Sequence, residues 1–165
     1  MSNITYHELS NYNAGKIISR TFELDGLSAS DHLSEITEWL EGLTESTGSL
    51  CEEWIVCDYE DVPSQLVSEW SIDDSFFELQ EAATKSHLSL EVFNAGVELG
   101  LALEDIEDKY QGQHKSDEAY AEKLCDDCGL LDSIPENLQR YFDMEAYARD
   151  LMFETYKQDG HYFSM

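Results

Sequence analysis

SDHLSEITEWLEG, residues 30–42, places Leu33, Ile36 and Leu40 at three- and four-residue steps, and Leu43 continues the stripe. That spacing sets the four on one side of an α-helix from Ser30 to Gly42. Asp31, Glu35, Glu38 and Glu41, with Glu45 beyond, recur at similar steps on the other side. Both flanks of this helix change to strand character. ITYHEL and KIISRTFEL, within residues 4–24, are β-rich runs joined by the turn-forming SNYNAG. EEWIVCDYE, residues 52–60, reads as a third strand. Residues 1–62 are therefore expected to form a three-stranded sheet with one helix.

Pro63 marks the next boundary, and residues 63–110 read as a helical middle domain. Phe76, Phe77 and Leu79 start one helix there, while Leu90, Phe93, Val97, Leu101 and Leu103 carry another. Residues 111–165 form a third, mixed domain. A helix ends at Gly129, which suits a left-handed cap. Ser133 and Glu136 have capping-box spacing with Pro135 in the first turn, and Asp143 caps a helix ending near Leu151. Asp159-Gly160 predicts a hairpin turn in the tail. The expected class is α+β, elongated, with a small antiparallel sheet, a helical middle and an α/β end.

Charge is the dominant property. The chain carries a net −27, and residues 21–108 hold twenty-three Asp and Glu against one base, Lys85. Like charges at helical spacing cost about 0.2–0.5 kcal/mol per pair, so proteins normally intersperse both signs. Leaving the repulsion in place points to a strongly basic partner. Beside the helix row, Glu52, Glu53, Asp58, Glu60 and Asp61 crowd the third strand and its exit. Asp73, Asp74, Glu78 and Glu81 begin the next helix, and Glu98, Asp105 and Asp108 extend the series. Duplex DNA carries one phosphate per roughly 1.7 Å of axis, so a charge of this size matches about 46 Å of duplex. Each carboxylate taken alone is an ordinary solvated residue, and acid-rich chains also arise by adaptation to salt. Against uniform salt adaptation, residues 109–165 hold twelve acids and six bases.

Leu, Ile, Val and Phe supply 39 of 165 residues, enough for folded cores. No basic segment followed by an apolar run opens the chain, and nothing is long enough to span a bilayer. A cytoplasmic protein without membrane contact is expected. Cys51 and Cys57 are widely spaced, Cys125 and Cys128 are flanked by Asp126 and Asp127, and reduced thiols without metal are the simplest reading. His7, His32, His87, His114 and His161 are scattered, and no nucleophile elbow or phosphate loop occurs. Neither catalysis nor a cofactor is expected.

GLLDSIPENLQRYFDMEAYARDL, Gly129 to Leu151, closely resembles the antirestriction motif of the ArdA family. The resemblance extends to Tyr12-Asn13-x-Gly15, Phe22, Asp58-Tyr59-Glu60 and Asp159-Gly160-His161, in the family's order over nearly the full length. Thr21 stands where the pattern has Trp, and the cysteines lie outside it. The resemblance implies a DNA mimic of mobile elements that occupies the DNA groove of type I restriction–modification enzymes, at their methyltransferase core. It further implies a homodimer of three-domain subunits joined at or near the motif, with no direct contact to nucleic acid. Within the motif, Leu130, Leu131, Ile134 and Leu138 are expected to pack the short helices behind Gly129 and Pro135. Tyr141, Phe142, Ala146, Tyr147 and Leu151 are candidates for core or subunit contact. Asp143, Glu145 and Asp150 either face the partner or pair with Arg140 and Arg149. The rival reading is a general acidic chaperone for basic DNA-binding proteins.

Overall fold

β1 (Asn3–Glu8) turns Ile4, Tyr6 and Glu8 inward, and the alternate residues Asn3, Thr5 and His7 are only half-buried. The computed structural model describes residues 1–165. β1 lies at the centre of a sheet between β2 (Ser19–Glu23) and β3 (Trp54–Glu60), antiparallel to both. The one-turn helix α1 (Leu9–Asn13) leads from β1 towards β2, and the carboxylate of Glu8 accepts from the N–H groups of Ser10 and Asn11. All three expected strands are present.

α2 (Ala29–Thr47) begins with a capping box in which Ser28 and Asp31 exchange hydrogen bonds. It ends at Gly48, whose φ of 70° suits the left-handed cap. The helix passes through Gly42, the expected end, because Leu43 packs on the same core and Gly42 keeps a helical backbone. His32, Ile36 and Leu40 form its buried side. Leu33, expected there, is 54% exposed. At about 100° per residue it sits at the margin of the stripe, and His32 takes the inward place.

α3 (Ser75–Lys85) adds Phe76 and Phe77 to the core that holds Ile4, Tyr6, Phe22 and Ile36. α4 (Leu90–Glu98) follows. By internal packing the chain divides into two compact units, Met1–Asn94 and Ala95–Met165.

In the second unit come α5 (Leu103–Lys109), β4 (Tyr110–Gln113) and α6 (Asp117–Asp127), then α7 (Glu136–Gln139) and α8 (Met144–Leu151), and finally β5 (Thr155–Gln158) and β6 (His161–Ser164). The sheet order is β4-β6-β5, antiparallel throughout. The expected β5–β6 hairpin forms, with Asp159 at φ 49° and Gly160 at φ 81°, the pair of positive angles that a two-residue turn needs. β4 is an addition to the sequence reading. Its core is built from Ile106, Tyr120, Ala121, Tyr162 and Phe163. Gly96 is required here, since a Cβ on it would lie 2.8 Å from the Ile106 side chain.

Two of the expected caps form. Gly129 is left-handed at φ 59°, and Asp143 accepts from the Ala146 N–H at 3.0 Å. The Ser133–Glu136 capping box does not form. Ser133 closes a 3-10 turn and its hydroxyl donates to the Leu130 carbonyl at 3.3 Å, so it is not free to cap α7. Pro135 precedes α7 without any side-chain cap. Eight helices and two small antiparallel sheets make this an α+β fold.

Candidate interaction surface

α2 fixes the first row of carboxylates. Burying Ile36 and Leu40 forces Asp31, Glu38, Glu41 and Glu45 outward, all exposed, while Glu35 is half-buried. At 1.5 Å per residue the row runs for about 21 Å, one charge in roughly 5 Å. The Ser28 hydroxyl and N–H hold Asp31 below the usual carboxylate range.

The sheet supplies a second group. Asp58 faces Thr5, and Glu60 and Glu23 flank Asn3 from either side, so all three point away from the core. Glu23 and Glu60 lie two strands apart, about 9.6 Å. Asn3 Nδ2 donates to Glu60 at 2.9 Å and steadies it. Sequence reading missed Glu23, although its strand parity, opposite to that of the buried Phe22, is the signal. Charged side chains on the edge strand β3 also block pairing with another sheet.

Asp73, Asp74, Glu78 and Glu81 surround the start of α3, all exposed. Ser75 donates to Asp73 from hydroxyl and backbone, which lowers its pKa, and Lys85 does the same for Glu81 at 2.6 Å. Glu52, Glu53 and Asp61 are exposed, and Asp61 meets the N-terminal ammonium at 2.6 Å. In the second unit Glu98, Asp105 and Asp108 are exposed; Glu98 accepts from Gln158, and Asp105 lies 4.0 Å from Lys109.

Thirty-three of the 36 carboxylates are exposed, the exceptions being Glu8, Glu35 and Asp117. Only six enter ion pairs. Almost the whole negative charge therefore stands in solvent without a counter-charge. The first unit carries net −16 and the second −11, so the balance of residues 109–165 does not leave either unit neutral. Such a surface offers acceptors to Lys and Arg.

The motif segment differs in kind. Neither the 3-10 turn Leu130–Ser133 nor α7 buries any residue, and α8 buries only Ala148. Leu130 and Leu138, expected in the packing, are exposed, while Leu131 and Ile134 are half-buried. Tyr141 is 71% exposed, with the Arg140 guanidinium 5.0 Å from its ring. Phe142 and Tyr147 pack on each other at 5.7 Å, and Ala146 and Leu151 are half-buried. Arg149 holds Asp150 at 3.0 Å, while Glu145 and Asp143 are exposed. The four cysteines are free thiols, Cys51 and Cys125 buried, Cys57 and Cys128 exposed.

The family model of the antirestriction protein ArdA matches residues 7–163. The chain belongs to the ArdA family. No curated protein matches it. Membership makes this an antirestriction protein, whose partners are restriction enzymes. The match runs through both units of this ArdA chain, the acidic sheet and helices as well as the motif segment. No helix is long and apolar enough to cross a membrane.

Proposed function

We propose that this ArdA chain acts as a DNA mimic that occupies the DNA groove of a type I restriction–modification enzyme, at its methyltransferase core. The reading rests on the thirty-three exposed carboxylates, few of them paired, fixed on helices and strands. Lys and Arg arranged for phosphates accept carboxylates as substitutes. Anions that are already placed need no duplex to be bent, which removes a cost that real DNA meets. Electrostatic attraction speeds the encounter, and affinity falls steeply with salt. The protein acts by occlusion, without chemistry or cofactor, in the cytoplasm where restriction takes place.

The motif segment, with Leu130, Leu138 and Tyr141 exposed, supplies the contact between two copies of the chain. Gel-shift competition tests the function: the protein releases labelled cognate DNA from a type I methyltransferase and leaves a histone-like protein on its DNA. Equal release from both would instead favour a general acidic chaperone.

A further inference from the structure

The margin of α2 is apolar where it should be polar. Leu33 is 54% exposed and Leu50 is 65% exposed, although both could have been polar at no cost to the core. They line two hollows, of about 530 and 490 Å³, that lie along the same helix and share Trp54 as a wall. Ile36 floors the first hollow and Leu40 the second. The Trp54 indole N–H is already used, donating to the Trp70 carbonyl at 2.7 Å. What Trp54 offers the hollows is its ring.

The rims are anionic. Glu41, Glu45 and Glu52 border the second hollow and Asp74 the first, and none of the four is in an ion pair. His32, 5% exposed, also lines the first hollow, and its Nδ1 has no hydrogen-bond partner. An apolar floor with an unpaired carboxylate rim is complementary to a side chain with a hydrocarbon stem and a cationic head. DNA has no such feature, since its phosphates line a polar groove.

We propose that the groove along α2, from Leu33 to Leu50, is the anchoring site for a basic amphipathic segment of the restriction enzyme. Apolar side chains and the stems of Arg or Lys fill the two hollows, a guanidinium stacks on Trp54, and the heads pair with Glu41, Glu45 and Glu52. The groove thus gives the mimic a hold that the DNA it replaces does not have. This inference rests on the proposed encounter with a basic enzyme. It adds that a few buried anchors, and not the spread charge alone, set the lifetime of the complex.

The test uses full-length protein carrying Leu33→Ser with Leu50→Ser, which leaves the net charge unchanged. Both side chains are exposed, so the fold is kept, as far-ultraviolet circular dichroism will verify. Binding to a type I methyltransferase is measured at several salt concentrations. The double variant should bind roughly tenfold more weakly through faster dissociation, with the salt dependence unaltered. Thr37→Tyr, which fills the second hollow and removes no apolar group, should weaken binding in the same way. Wild-type affinity in both variants, alongside normal DNA displacement, would overturn the groove and leave the mimicry standing. Failure of the wild-type protein to displace DNA would overturn both.

Discussion

The Tyr6 hydroxyl lies 3.0 Å from Nε2 of His32, inside the aromatic cluster of Phe22 and Phe77. This pair joins the central strand to α2, the helix that carries the main row of carboxylates. Burial pushes the His32 pKa down to about 4 and raises that of Tyr6, so both are neutral at physiological pH.

The neutral imidazole ties stability to pH. An unfolded histidine takes its proton near pH 6.5, but folded His32 resists until about 4. Between these values the unfolded chain binds more protons, so stability falls as pH falls. The contribution is complete above pH 6.5 and drops by about 2 kcal/mol by pH 5. The upper part of this window, between pH 6.5 and 5, lies above the ordinary carboxylate values of about 4. Urea denaturation should show the decline, and His32→Phe should flatten it while costing about 1 kcal/mol at pH 7 through the orphaned Tyr6 hydroxyl.

Glu8 is a buried carboxylate in a protein whose other anions seek water. Burial raises its pKa, yet hydrogen bonds from Asn11 and Ser10 outweigh this and leave it lowered. Its stabilisation is present above about pH 4.3 and is lost as pH falls through the depressed value. Glu8→Ala frees the N–H groups of Ser10 and Asn11 and should cost about 2 kcal/mol. Hydrogen exchange at those two amides should accelerate first.

In the second unit Asp117 accepts from Lys157 at 2.6 Å and from the Tyr162 hydroxyl at 2.7 Å, and Lys157 first and then Tyr162 lower its pKa. The side chains of Asp117 and Lys157 both reach solvent, so the ion pair is screened. The buried Tyr162 hydroxyl matters more. Tyr162→Phe should destabilise by about 1 kcal/mol, measured by denaturation, and Asp117→Asn by a similar amount.

The carboxylate row makes opposite predictions for stability and binding. Glu35, Glu38, Glu41 and Glu45, all changed to Gln, should relieve about 0.2–0.5 kcal/mol per like-charge pair and raise the melting temperature. The same variant should bind the methyltransferase at least tenfold more weakly at low salt, with a shallower salt dependence. Asp31 is left out because it also caps α2. One substitution in this row should change affinity little, since the field is spread over many charges.

What was legible in the sequence is what local rules determine. Strand alternation in β1, the helical spacing of Ile36 and Leu40, and the Asp159-Gly160 turn each act within a few residues. β4 was hidden because Tyr-Gln-Gly-Gln has no alternation and Gly112 carries a φ of 108°; only pairing with the distant β6 makes it a strand. Ser133 had capping spacing, but its hydroxyl is engaged one turn earlier. Leu33 and Leu138 looked like core by residue type, while their exposure depends on tertiary packing. The carboxylates were the easiest part of the site to see, since so much charge has nowhere to go but water. The groove beside Trp54 was invisible, because Leu50 enters it from a loop outside any periodic pattern.

Self-association is expected to depend on the motif segment. Leu138→Ser with Tyr141→Ser should shift sedimentation from dimer towards monomer and leave circular dichroism unchanged, because both side chains are exposed in one chain. An unaltered sedimentation coefficient would move the contact elsewhere.

As a DNA mimic, this protein should compete with DNA for one groove. Fluorescence anisotropy of labelled cognate duplex on a type I methyltransferase, titrated at fixed protein concentrations, measures this directly. Mimicry predicts that the apparent Kd for DNA rises in proportion to protein concentration, with no ternary complex. A ternary complex, or DNA occupancy unchanged at saturating protein, would contradict it.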